Sequence, residues 1–337
     1  MDYDRADLTT MFLPVPPVPP ASNTYRENRI FTLHEHPPPF DSAALAEQRE
    51  NMLDAKGMIL ERKLHGRLSN CGNHFVAPLP GSTTLQIKLV EPLSTASRHK
   101  DPPFPEVWKV QCGEQTYVAR IYDPLYVEDD EGFYDIFLFC ARSLVNEYKA
   151  YELLKDVQGN LVPRYIGCFL SIIDTVPEDY PSIRWMHRTP LPPSVPIPEK
   201  RSVFVTLLQY IPGEDLRHSS EWSICAPHKA VIRRSACIAG REFLRRRIWH
   251  YDLAERNTIL KAGSPSQEPF CDDVSCKLRW QTPTTLLREL HPSIPSPITI
   301  IDMEDTDIGK NCPPPNADGD YDLNEKGPRW LSKYWFS

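Results

Sequence analysis

Glycine is scarce in this chain: 14 glycines stand against 35 prolines in 337 residues. A loop whose backbone amides close on a phosphate relies on clustered glycines, and no GxGxxG run occurs. Positive charge is also in deficit. The 38 lysines and arginines against 45 acids give a net charge of −7, the wrong sign for a general nucleic-acid or anionic-membrane binder. No apolar run approaches the roughly 18 residues that span a bilayer. The opening MDYDRADLTTMFLPVPPVPP has acids where a signal peptide needs bases, and prolines where it needs an apolar core. The nine cysteines are odd in number and lack a repeated CxxC spacing. Structural zinc is therefore not expected, and a reducing cytoplasmic or nuclear setting is, rather than secretion. Cys271 and Cys276 (CDDVSC) have the spacing to chelate or to pair, but two free thiols in a loop is the expected state. No internal repeat is present.

The prolines that are present punctuate the chain. Fourteen lie in residues 1–105, only Pro124 lies between 106 and 162, and none lies between 228 and 264. Proline lacks a donor and breaks helix interiors, so the poor stretches are expected to hold the folded framework. Residues 1–40, with PVPPVPP and HPPPF, read as a disordered leader whose polyproline tracts suit a weak SH3- or WW-type contact. Residues 41–66 read as a helix in an N-terminal extension reaching to 83, capped by Asp41 or Ser42 and ended by Gly66. Strands follow in TLQIKLVEPLS, VWKVQC and TYVARIYDP, the last two joined by a turn at Gly113-Glu114. Leu144, Tyr148, Tyr151 and Leu154 then recur at helical spacing, and YIGCFLSII and SVFVTLLQYI read as strands flanking a proline-rich insertion at about 174–200. A helix over 228–248 carries Ile232, Ala236, Ala239 and Phe243 on one stripe. The loop HYDLAERN, a short strand TIL, a second insertion at about 261–297 and a strand ITIID complete the order.

HYDLAERN carries the strongest chemical signal. Phosphoryl transfer needs a carboxylate to orient a hydroxyl and oxygen ligands for Mg²⁺ beside the phosphates. Asp252 and Asn257 sit in one tight loop, and Asp302 ends an apolar strand. His250, Asp252, Leu253 and Asn257 match the His-x-Asp-Leu-x-x-x-Asn catalytic loop of kinases, with Tyr251 in place of the central arginine. On these residues the chain, over about 84–309, resembles the protein-kinase-like superfamily. It is similar to fungal kinase-domain proteins with a short second lobe. It also shares the Asp-x-Glu ending (DME here) with aminoglycoside and choline kinases.

The resemblance implies a two-lobed α+β fold. Residues 84–211 would form an antiparallel-sheet lobe with one main helix, and 212–337 a short, mainly helical lobe. It implies ATP and Mg²⁺ as cofactors and transfer of the γ-phosphate to a hydroxyl of a protein or small molecule. Asp252 would orient the acceptor, with His250 in its loop. Arg120, where the family has lysine, would hold phosphate charge, positioned by Glu147 with Glu152 as second candidate. Gln209, Tyr210 and Ile211 would form the adenine hinge, and Asn257, Asp302 and Glu304 would hold metal.

The departures define an alternative. The segment EPLSTASRHKDPPFPEVW stands where the glycine loop belongs, offering only side chains such as Ser94, Thr95, Ser97, Arg98 and Lys100. Lysine is replaced by a planar fork on a longer stem. After Asp302 only residues 303–337 remain, too few for a peptide-docking platform. These changes suit a pseudokinase that binds nucleotide or acts as a scaffold without turnover. Other features read blandly. The tail NADGDYDLNEKG fails EF-hand spacing at Tyr321. The basic run REFLRRRIWH reads as a solvated helix face, and Trp330, Leu331, Tyr334, Trp335 and Phe336 as a C-terminal clasp.

Overall fold

In a computed structural model the chain is described over residues 25–39, 71–72, 74–93, 105–126, 136–175, 198–216, 225–250, 257–261, 276, 298–303 and 306–308. Six strands carry most of the order: β1 (Ile30–Glu35), β2 (Thr84–Pro92), β3 (Glu106–Cys112), β4 (Gln115–Tyr122), β5 (Tyr165–Asp174) and β6 (Lys200–Gln209). They form from period-two alternation, which sends every second side chain to one face. Phe31 and Leu33, Ile87 and Leu89, Trp108 and Val110, Ala119 and Ile121, and Val203, Val205 and Leu207 all enter one core in such steps. Burying a side chain of this size stabilises by about 1.5–3 kcal/mol. The β3–β4 hairpin turns at Gly113, as the sequence implies, with φ of 59° and Cys112 opposite Gln115. A left-handed φ at that position is easy only without a Cβ.

The six strands close into an antiparallel barrel in the order β1-β2-β3-β4-β6-β5. Closure depends on β1. It pairs with β2 from Ile30↔Lys88 to His34↔Thr84, and with β5 through His34↔Leu170 and Glu35↔Phe169. β1 lies within the stretch read from composition as a disordered leader. One end of the barrel is tied by a buried ion pair. The Arg201 guanidinium donates to Asp123 Oδ1 at 3.3 Å and Oδ2 at 2.7 Å, and to the Thr175 carbonyl at 2.7 Å. Tyr25 donates its hydroxyl to the same carboxylate at 2.6 Å.

Two α-helices accompany the barrel: α1 (Ile136–Leu153), which adds Phe137 and Cys140 to the barrel core, and α2 (Ala226–Arg245). The predicted stripe on α1 is buried at Leu144, Tyr151 and Leu154, and that on α2 at Ile232, Ala236, Ala239 and Phe243. Tyr151 and Leu154 share a second core with the α2 stripe, Ile298, Ile300 and Met303. Five short strands complete the described residues: β7 (Gly213–Asp215), β8 (Ile248–His250), β9 (Thr258–Lys261), β10 (Ile298–Ile300) and β11 (Thr306–Ile308). They form a three-stranded sheet, β10-β9-β7, and a two-stranded one, β11-β8.

This architecture corrects the expected fold class. The two-lobed α+β arrangement required an open antiparallel sheet followed by a mainly helical lobe. The sheet is instead a closed barrel, because β1 covers the edges of both β2 and β5. Among the described residues strands dominate, with two α-helices, and beyond residue 211 five short strands accompany the single helix α2. No helix among the described residues is long and apolar enough to cross a membrane. The expected helix at 41–66, the segment 94–100 and the C-terminal aromatic cluster lie outside the described residues.

Candidate functional site

The site grows from the outer face of β4. Ala119 and Ile121 point into the barrel core, so alternation turns Arg120 and Tyr122 to the other side. There they meet α1. Glu147 lies three residues after Leu144 and four before Tyr151, which places it on the buried stripe of the helix. Its side chain is 0 % exposed. Arg120 Nε lies 3.1 Å from Glu147 Oε1, and the Tyr122 hydroxyl donates to Glu147 Oε2 at 2.7 Å. Burial pushes the Glu147 carboxyl up from the ordinary range, while the Arg120 charge and the Tyr122 hydrogen bond oppose that rise.

The same guanidinium reaches across the chain. Arg120 Nη2 donates to Asp302 Oδ1 at 2.8 Å, bridging 182 residues of sequence. Arg120 is nearly enclosed, whereas the Asp302 side chain keeps 28 % of its exposure. One cation therefore lies between a sealed carboxylate and one open to solvent. Asp302 has a φ of 70°, a left-handed conformation uncommon for a residue bearing a Cβ and one that concentrates at functional sites. It follows β10 with only Ile301 between them, and the next residue, Met303, is fully buried in the second core. The chain is thus anchored on both sides of the turn that aims this carboxylate.

Asn257 and His250 flank the turn. The Ile301 amide donates to the Asn257 carbonyl at 2.9 Å, which brings the start of β9 beside Asp302. His250 Nε2 lies 3.5 Å from the Ile301 carbonyl, and its ring stacks on Phe243 with centroids 6.2 Å apart. Both residues are buried. Arg120 therefore touches Glu147 and Asp302 directly, and Asn257 and His250 meet the backbone of Ile301, the residue before Asp302.

Other expected positions fall elsewhere. Gln209 hydrogen-bonds to Arg164, its amide to the Arg164 carbonyl at 2.9 Å and its Oε1 accepting from the Arg164 amide at 3.2 Å. The Tyr210 ring takes the Lys109 ammonium at 4.9 Å, and Ile211 is half-buried just past β6. Glu152, the second candidate for Arg120, is exposed on α1, so Glu147 is the partner. Asp252 and Glu304 lie outside the described residues. Tyr122 is the residue that motif matching passes over. Its signal was available, since it stands two positions after Arg120 on the same strand face.

In donor chemistry the cluster suits a hard cation. Asp302 and Asn257 carry the kinds of oxygen donor that Mg²⁺ takes together with substrate phosphates, and the contact between their segments runs through the backbone, Ile301 amide to Asn257 carbonyl. A groove of about 470 Å³ lined by Glu35, His36, Leu79, Tyr148, Tyr165 and their neighbours contains none of these residues. No protein-family model matches the chain, and no curated protein matches it.

Proposed function

We propose that the Arg120 cluster is a nucleotide phosphate site and that the chain is an ATP-dependent phosphotransferase acting on a hydroxyl. The observation that carries this reading is the guanidinium held between Glu147 at 3.1 Å and Asp302 at 2.8 Å. A phosphoryl group needs a fixed positive charge beside an oxygen ligand for its metal. Glu147, supported by Tyr122, fixes the Arg120 fork from its buried side. Asp302 and Asn257 would hold Mg²⁺, which when bound neutralises phosphate charge. Asp252, in the sequence between His250 and Asn257, would orient the acceptor hydroxyl. The reading rests on the site and not on overall architecture, since one chemistry recurs on unrelated folds.

The Arg120–Asp302 bond has a further implication. The cation and the half-buried Asp302 carboxylate are paired with each other in the free protein, so nucleotide and metal must separate them together. Phosphate then takes Arg120 while the metal takes Asp302. Mg²⁺ alone and ATP alone are each expected to bind weakly, and the two together cooperatively. The same bond favours a second reading, nucleotide binding without turnover, because both groups are already engaged and the usual lysine is absent.

Transfer of labelled phosphate from ATP to a panel of hydroxyl metabolites and peptides tests the proposal, alongside thermal melting with Mg-ATP. A transfer rate abolished by Asp252→Asn supports the phosphotransferase. A melting shift without ATP consumption, unchanged in Asp252→Asn, establishes the binding module instead. No shift with Mg-ATP removes both.

A further inference from the structure

Three soft donors meet at the start of α2, and none belongs to the Arg120 cluster. Cys225 Sγ lies 2.9 Å from His228 Nδ1, and Cys276 Sγ lies 3.5 Å from the same nitrogen. The three ligand atoms all fall within 4.8 Å of one another. Each residue is buried: Cys225 is 9 % exposed, His228 3 % and Cys276 5 %. The Cys225 amide also donates to Cys276 Sγ at 3.4 Å.

We propose that Cys225, His228 and Cys276 form a zinc site. Tetrahedral zinc, with Zn–S of about 2.3 Å and Zn–N of about 2.0–2.1 Å, separates sulfur from nitrogen by about 3.6 Å. The Cys276–His228 distance already has this value. The Cys225–His228 distance is shorter and needs to open by well under 1 Å, a side-chain rotation. Two thiols and an imidazole select a borderline-soft metal over Mg²⁺ or Ca²⁺. The fourth position falls to water or to one further donor. Metal entry displaces the two thiol protons, and the two thiolate charges balance the Zn²⁺, so the buried site is neutral overall.

Both cysteines also belong to the second core, and His228 is the polar group that meets them there. Cys276 comes from the long stretch between β9 and β10, 51 residues from Cys225. A metal there clips that stretch to the head of the helix that runs into β8 and His250. The sequence pattern concealed it, since the local pair is Cys-x-x-His and not Cys-x-x-Cys. The proposal does not depend on phosphoryl transfer, and failure of either leaves the other standing.

The test uses the full chain purified in the presence of zinc and then desalted. Elemental analysis is expected to find about one zinc per chain. Cys225→Ser, His228→Ala and Cys276→Ser should each weaken retention by about tenfold or more, while Cys237→Ser, on the same helix, should leave it unchanged. If the variants fail to fold, the wild-type chain still decides. Chelation followed by cobalt addition should give a thiolate-to-cobalt charge-transfer band, and titrating the thiols with a mercurial should release the zinc. A zinc-free wild-type protein with no such band, or full zinc retention by Cys276→Ser, overturns the proposal.

Discussion

Arg120→Met is the most informative single change. Methionine keeps much of the stem volume and removes the guanidinium. Glu147, with no exposure, is then left with the Tyr122 hydroxyl at 2.7 Å in place of its ion pair. Removing one partner of a buried pair typically costs about 3–5 kcal/mol. The Asp302 arm adds little, about 1 kcal/mol at most, because that carboxylate can turn to water. At pH 8 the variant should therefore unfold about 3–5 kcal/mol more easily than wild type. Adding Glu147→Leu should recover much of the loss, so the double variant falls short of the sum by about 2 kcal/mol. The pH dependence has a definite sign. Burial raises the folded Glu147 carboxyl, and losing Arg120 removes the charge that opposes this rise. A carboxyl raised in the folded state stabilises fully below its unfolded value of about 4.3 and loses that contribution as pH climbs through the folded value. The deficit of Arg120→Met should thus shrink as the pH is lowered from 8 toward 5. Urea unfolding followed by tryptophan fluorescence at both pH values, read as wild type minus variant, measures it. A deficit under about 1 kcal/mol at pH 8, a deficit equal at both pH values, or strict additivity with Glu147→Leu would refute the reasoning.

Arg201→Met should cost a comparable 3–5 kcal/mol or so in the same assay, because it leaves the Asp123 carboxylate, 1 % exposed, without its counter-charge and held by the Tyr25 hydroxyl and Leu125 amide. Gly213→Ala puts a Cβ 2.2 Å from the Leu260 carbonyl oxygen and 2.8 Å from Ile259 Cγ2. It should part β7 from β9 and lower the melting temperature by the equivalent of about 1–3 kcal/mol, and an unchanged melting curve would show that the pairing does not matter. Burial pushes the Cys71 thiol up to about 12 from an ordinary 9.0. A raised folded value means stability is lost as pH climbs between those limits. Cys71→Ala should flatten that part of the alkaline unfolding curve relative to wild type, and an identical slope would count against the burial argument.

The strands from β2 to β6 were readable in the sequence because each carries enough alternating apolar residues to declare a period. The stripes on α1 and α2 were readable for the same reason at the helical period. The Arg120–Glu147 pairing was legible only through the kinase resemblance, which expects a glutamate on the helix after that strand; strand parity and helix spacing are how the fold brings the two together. Barrel closure was not readable. Ile30–Glu35 alternates too, but the polyproline tracts before it and the prolines after it masked the signal, and its partner in β5 is far along the chain. Strands of three residues, such as β7, β8 and β11, are too short to show a period and exist only because a neighbour pairs with them. The meeting of Cys225, His228 and Cys276 depends on how the chain folds back after β9, which no local pattern encodes.

The barrel's dependence on β1 bears on how the chain can be shortened. A fragment trimmed to begin at residue 41, the natural cut suggested by proline density, would lose Phe31 and Leu33 from the core. It would also strip from β2 and β5 the strand that pairs with their open edges among the described residues. β2 and β5 would each present a row of unpaired amides and carbonyls, flat templates for another chain. Such a fragment is expected to assemble edge to edge and precipitate. β1 thus acts as a seam, and solubility is the property it guards.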